Sequence, residues 1–331
     1  MSPRADRLTT LVLLLVLPLL CASTENGFYK SILVYGTINS IAAVGLCLML
    51  GFAGQISLGQ AAFYGVGAYT TTLAANRLGL EPAAAIVLGS VASMALGWLI
   101  SRPLSRLHDH YLAMATLAFG VVMYIGFANF RALTGGLDPG TTIGKFTLLG
   151  HDLSSMNGLF GAAWIGLLLS VFLAANIAST RVGRALRAIR MSPAAAASVG
   201  IDVVRAKAFV FAVGALMTGL AGGLYAYVAR SFNAGSFGIG YAIELLMMVV
   251  IGSLNRVSGA IVGAFIISVL PVLFDTFEDY KTVVFGVTMV LIMKFMPSGL
   301  VDALFGWVSR WLARRKAAAA SVVLVPAPPG D

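Results

Sequence analysis

Ten apolar stretches, at about residues 8–22, 29–50, 61–76, 83–101, 111–130, 159–179, 207–229, 241–255, 258–277 and 282–300, decide what this chain can fold into. A helix needs about 20 apolar residues to cross the hydrocarbon core of a bilayer, and most of the stretches come close to that length. Only 11% of the residues are charged while 59% are hydrophobic, against about 25% charged in an ordinary soluble domain. So few charges cannot cover a water-soluble surface, and a disordered chain would hold far fewer apolar groups. The runs are continuous rather than alternating, which argues against a transmembrane barrel. The sequence predicts an all-α, polytopic transmembrane bundle of about ten helices within residues 1–306. Residues 307–331, basic and then rich in Ala and Pro, read as an unstructured cytoplasmic tail.

Orientation follows from the Lys and Arg bias between the two faces. If all ten stretches span, one face collects Arg4, Arg7, Arg102, Arg106, Arg181, Arg184, Arg187, Arg190, Arg205, Lys207, Arg256, Lys294 and the basic tail. The other keeps Lys30, Arg77, Arg131, Lys145, Arg230 and Lys281, with the acids Asp275, Glu278 and Asp279. Both termini are therefore expected in the cytoplasm. The net charge of +9 is then a membrane matter, with lipid rather than nucleic acid as the partner it implies. Arg4 and Arg7 before Leu8–Leu20 also fit a cleaved signal peptide. No clean cleavage site follows, and a retained first helix is the preferred reading.

The chemistry of bond breaking is missing from the sequence. Cys21 and Cys47 lie in or beside apolar runs without metal or redox spacing. His108 and His110 are two apart, so they do not share a helix face and read as a solvated turn. The one Gly-Lys pair, Gly144-Lys145, is followed by Phe146, so no phosphate-binding loop is present. The chain is expected not to be an enzyme. One acid, Glu244, falls deep within an apolar run. It reads either as an ion-carrying group or as a helix-entrance carboxylate near first-turn amides.

Two polar interruptions stand out. The stretch 51–60, Gly-Phe-Ala-Gly-Gln-Ile-Ser-Leu-Gly-Gln, breaks an apolar run without carrying a charge. Irregular backbone at membrane depth is tolerated where it is buried in protein or lines a cavity. Gln55, Ser57 and Gln60 are candidates to hydrogen-bond a solute or neighbouring backbone, and Gly54 and Gly59 for positions that exclude a Cβ. A second break, Gly252-Ser253-Leu254-Asn255-Arg256, hints at an internal repeat with the path between its halves. Small-residue stripes, Ala215-x-x-x-Gly219-x-x-x-Gly223 and Gly259-x-x-x-Gly263, predict close helix contacts.

The basic loop 180–206 has a defined design. Arg181, Arg184, Arg187 and Arg190 occupy half of a helix circumference, and Val182, Ala185, Leu186 and Ile189 the other half. Ser192 is placed as an N-cap and Pro193 as a first helical position. Gly200 is placed as a stop, and Asp202 as the next cap. Binding anionic lipid is one reading of this segment. A helix–Pro–helix–Gly unit is more shape-defined than that requires, which favours docking to a protein.

Gly51 through Tyr69 resembles the signature of the permease subunits of branched-chain amino acid ABC importers. Tyr111–Gly120, Leu133–Gly136, Gly183–Arg190 and Lys207–Tyr225 resemble further blocks of that family, in the expected order. The extra N-terminal helix resembles the subunit of the pair that carries such a helix. The resemblance implies a heterodimer of two related permeases, two cytoplasmic ATPases holding ATP and Mg, and a periplasmic solute-binding protein, in the bacterial inner membrane. It implies no cofactor on this chain. The implied path includes Gly54, Gln55, Ser57, Gln60, Tyr64, Thr116 and Glu244. The implied ATPase-coupling segment includes Val182, Gly183, Arg184, Leu186, Arg187, Ile189, Arg190, Pro193 and Gly200, with Val182, Leu186 and Ile189 expected to seat in a groove on the ATPase. Val121 and Asp138-Pro139 depart from the family pattern. Branched-chain amino acids are the implied solute; urea or a short amide, or ion-coupled transport through Glu244, are the alternatives.

Overall fold

The computed structural model describes residues 3–273 apart from 25, 108, 139, 149, 150 and 255, together with 286, 287, 290 and 294. Twelve α-helices are described: α1 (Pro3–Ser23), α2 (Gly27–Cys47), α3 (Gln60–Leu78), α4 (Pro82–Leu104), α5 (Asp109–Asn129), α6 (Arg131–Thr134), α7 (Met156–Ser179), α8 (Arg181–Met191), α9 (Pro193–Ser198), α10 (Val203–Ala229), α11 (Ile239–Gly252) and α12 (Val257–Leu273). Nine of the ten apolar stretches coincide with helices; the tenth, 282–300, lies almost wholly outside the described residues, and the 307–331 tail entirely so.

Among the described residues, five helices are long and apolar enough to cross a membrane, namely Gly27–Phe52, Pro82–Leu104, His110–Asn129, Met156–Ser179 and Val203–Ala229. Their ends follow local chemistry. Ser155 caps α7 by accepting from the Gly158 amide at 3.2 Å, Pro82 opens α4, and Gly79, at φ 61°, ends α3 in the left-handed region that glycine adopts without strain.

The centre of the bundle is α10, which is buried along most of its length and packs on α3 and α4 through small residues. A Cβ on Gly219 would overlap Ser93, and one on Gly67 would overlap the Gly219 backbone. Along the same predicted stripe, Ala215 lies 2.6 Å from where a Cβ on Gly97 would stand. In lipid the helices gain no hydrophobic term by associating, so this close backbone approach supplies the dispersion contacts that hold them. The second stripe works alike, with Gly259 and Gly263 of α12 against the Gly252 end of α11. Helix α1 is tied on by Trp164 of α7, whose Nε1 donates to the Leu14 carbonyl at 3.0 Å.

The expectation of an all-α fold needs one amendment. Four two-residue strands form at one end of the bundle: β1 (Thr141–Thr142), β2 (Thr147–Leu148), β3 (His151–Asp152) and β4 (Ser231–Phe232). β1 pairs antiparallel with β4, and β2 with β3. The latter hairpin is closed by Lys145 and Asp152 at 3.3 Å. Hydrogen bonds from Ser154, and then Lys145, hold the Asp152 carboxyl down at about 2. Such short pairings carry no periodicity for a sequence to display. Both cysteines are free and buried. Among the described residues no group of three His, Cys, Asp or Glu could hold a metal ion.

Candidate functional site

The first break is where α2 loses its regular hydrogen bonding. The helix widens into a π-turn at Leu48–Phe52, a feature that often marks functional positions in helices. Its last carbonyls are then satisfied in sequence. Met49 O accepts from the Gln55 amide at 3.0 Å and Leu50 O from the Gly54 amide at 3.2 Å, while Gly51 O accepts from the Arg190 guanidinium. Gly54 sits at φ 69°, and a Cβ there would stand 3.3 Å from Arg190 Cγ. Gly54 therefore shapes the break and faces α8. It does not itself present a group to a path.

Beyond Gly54 the chain turns inward. Thr116 is fully buried, and its hydroxyl accepts from the Leu58 amide at 3.1 Å. Gly59 is there because Thr116 O would stand 2.8 Å from any Cβ. Gln60 opens α3 with both ends engaged, donating to Met49 Sδ at 3.0 Å and accepting from the Thr218 hydroxyl at 2.8 Å. Gln55 and Ser57 are 0% and 1% exposed, and neither polar terminus has a hydrogen-bond partner. Buried polar groups are nearly always paired. Among the described residues Gln55 and Ser57 share this state with the Tyr69, Ser105 and Tyr227 hydroxyls, and they are the pair that stands at the break.

Tyr64, one turn further along α3, begins an aromatic cluster that the sequence did not reveal. Its ring lies 4.6 Å from Tyr241, 5.4 Å from Tyr225 and 6.0 Å from Phe237. Phe237 also meets Tyr69 at 5.4 Å and Phe232 at 5.6 Å. The Tyr241 hydroxyl donates to Asn39 at 3.0 Å, and Asn39 donates to Ser268 at 2.9 Å, linking α11, α2 and α12. Phe232 and Phe237 come from the segment between α10 and α11, which β1–β4 pairing and the Asn233 to Leu137 O bond (2.9 Å) hold against the loop after α6. Glu244 is half-buried on α11. Since α11 begins at Ile239 and has no acid in its first turn, the helix-entrance reading of Glu244 is corrected.

At the other end the helix–Pro–helix–Gly reading of 180–206 matches the structure. Ser192 caps α9 by accepting from the Ala195 amide, Pro193 starts it, and Asp202 caps α10 by accepting from the Arg205 amide at 3.0 Å. Gly200, at φ 83°, ends α9 while the Ile201 amide donates to Ala196 O at 3.1 Å. The assignment of the apolar face is corrected. Leu186 and Ile189 are 0% and 1% exposed and belong to this chain's own core, as does Gly183, whose Cβ would strike the α7 carbonyls at Ile177 and Ala178. Arg187 likewise turns to its own chain, donating to Ala178 O at 3.1 Å and standing 5.9 Å over the Phe52 ring. The surface left for a partner comprises Val182, Arg184, Met191, Pro193 and Val199, of which Met191 is 88% and Val199 75% exposed.

A bundle of close-packed apolar helices that keeps uncharged polar groups inside, around a broken helix, defines a membrane permease. The chain belongs to the family of permease components of branched-chain amino acid transport systems, whose profile matches residues 28–293. It is 30% identical to the high-affinity branched-chain amino acid transport permease LivM of Salmonella typhimurium over 284 residues, 79% of this chain and 67% of that one. It is 26% identical to LivH of Escherichia coli, over 80% and 92% of the two chains. To the ribose import permease RbsC of Escherichia coli it is 28% identical, over 79% and 83%. No solved structure matches. The protein is thus a multi-pass inner-membrane permease, most like the longer, LivM-type subunit among these relatives.

Proposed function

We propose that this chain is the translocating subunit of an ATP-driven importer of branched-chain amino acids. In this reading it pairs with a related, LivH-like permease, two ATPases bind its cytoplasmic face, and a periplasmic binding protein delivers the solute. The ATPases hold ATP and Mg; this chain holds neither. All ten stretches span, with both termini in the cytoplasm. Three-dimensional placement supports that orientation, since Arg102, Arg106 and Arg205 line one groove, while Arg77 bonds to Ala132 of α6 and Arg230 to Ser154 in the loop after β3.

The observation that carries the proposal is the α8–α9 unit, seated inward by Leu186 and Ile189 yet presenting Met191 and Val199 outward. A solvated loop gains nothing from two exposed apolar residues flanking a proline-started turn. A groove on an ATPase does. Gln55 and Ser57 suit a solute with hydrogen-bonding termini, and the Tyr64 cluster gives an aliphatic side chain an apolar wall. The Met191→Asp, Val199→Asp double variant should lower ATPase co-purification at least tenfold, with the thermal midpoint of the permease unchanged. Wild-type recovery of ATPase in that pull-down would return α8–α9 to the lipid surface.

Ion coupling through Glu244 gives a separate expectation. With energy from ATP, Glu244→Gln retains most uptake, and a protonophore has no effect at constant ATP. Uptake into vesicles that needs both the carboxylate and a proton gradient would make this a secondary transporter.

A further inference from the structure

We propose that Arg190 is the positioning residue through which α8 moves the two broken helices. This rests on the ATPase-docking reading above and specifies how a push on α8 reaches the membrane interior. An amphipathic helix lying on the end of a bundle transmits nothing unless it is fixed to an element that moves. Leu186 and Ile189 seat α8, but apolar contacts are non-directional and let a helix slide. Directional attachment comes from the arginines at its C-terminal half.

The Arg190 guanidinium donates to Gly51 O, a carbonyl 139 residues away in sequence. That carbonyl lies in the π-turn ending α2, where terminal carbonyls lack intrahelical partners and carry the negative end of the helix dipole. A cation offered from another helix satisfies both. Gly54, left-handed and lacking a Cβ, lets the Arg190 stem lie directly on the break. Arg187 stands over Phe52 in the same turn. Two side chains one turn apart on α8 thus grip the two residues that close the π-turn.

The π-turn is in turn wedged against the second break. A Cβ on Gly51 would overlap the Leu254 carbonyl, and Cys47 Sγ donates to Leu254 O at 3.8 Å and Arg256 O at 3.6 Å. Displacing α8 therefore displaces the end of α2, and with it the segment joining α11 to α12. The same π-turn leads directly into Gln55 and Ser57, while α11 carries Tyr241 of the aromatic cluster. Arg190 supplies a charged hydrogen bond to this chain of contacts. It points to its own permease.

The test is a purified assembly, tagged on this chain, carrying Arg190→Met or Arg190→Lys. For Arg190→Met, ATPase co-purification and basal ATP hydrolysis stay within twofold of wild type, while amino-acid uptake into proteoliposomes falls at least tenfold. Arg190→Lys keeps one cationic donor and restores part of the uptake. Amide hydrogen exchange on the permease alone gives a readout that needs no ATPase: Arg190→Met should speed exchange across 48–59 and 253–256 and leave α9 unchanged. Unaltered exchange in both breaks overturns the proposal even if no ATPase ever co-purifies, a result that would separately defeat the docking reading. Uptake within twofold of wild type, or loss of uptake only together with loss of the ATPase, also overturns it.

Discussion

Gly54→Val abolishes uptake while the bundle remains assembled. The residue stands at φ 69°, a left-handed conformation in which a β-branched side chain is a severe outlier. Holding a non-glycine residue there costs about 1–3 kcal/mol. The chain would relax by rotating this peptide, which undoes the Gly54 and Gln55 amide bonds that close the π-turn. The valine methyls add a clash with Arg190 Cγ, already 3.3 Å from the position of a Cβ. Gly54→Asn, whose side chain tolerates the left-handed region, should keep measurable transport. Radiolabelled leucine uptake into proteoliposomes, with size-exclusion profiles of both variants, checks the pair. Wild-type uptake by Gly54→Val would remove residues 51–60 from the mechanism.

Leu186→Asp prevents the permease from accumulating in a folded form. On amphipathy alone, this substitution would strip off a partner and leave the permease intact. With Leu186 fully buried between α8 and the bundle, its truncation alone leaves a cavity worth about 2–5 kcal/mol. An aspartate adds the burial of a carboxylate in a seat shaped for a leucine side chain. The sum rivals the entire stability of many domains, about 5–15 kcal/mol. Val182→Asp, at a position 38% exposed, should by contrast leave yield and thermal midpoint near wild type. Membrane yield and detergent thermal melts distinguish the two. A stable Leu186→Asp permease lacking only its ATPase would put this face outward after all.

What the sequence made legible was chemistry that acts over a few residues. Ser192, Pro193, Gly200 and Asp202 announced their caps because each device is complete within four or five positions. The stripes at Gly219 and Gly263 were readable because helical spacing alone places small residues in line. Amphipathy showed that α8 has an apolar side, but a periodic stripe does not say whether its own bundle or a partner will cover it. Leu186 and Ile189 were misassigned for that reason. The Arg190 bond to Gly51 and the gathering of Tyr64, Tyr225, Phe232, Phe237 and Tyr241 join residues far apart in the chain, and no local pattern encodes such meetings. The π-turn at Leu48–Phe52 escaped because one extra residue in a helical turn leaves apolar periodicity almost unchanged.

The pairing of β1 with β4 has a kinetic consequence. Phe232 is both a strand residue and a member of the aromatic cluster, so the cluster cannot loosen there without breaking the ladder. That ladder joins Thr141 and Thr142 to Phe232 and Ser231, with the Ile143 amide donating to Arg230 O beside it, and each hydrogen bond is worth about 1 kcal/mol net of water. Such a lock breaks and re-forms within the microsecond-to-millisecond range of loop and collective motions, sooner than a packed helix seam such as that at Gly219 can part. One end of the bundle is thus sealed by a fast, shallow latch and its body by slow, deep packing.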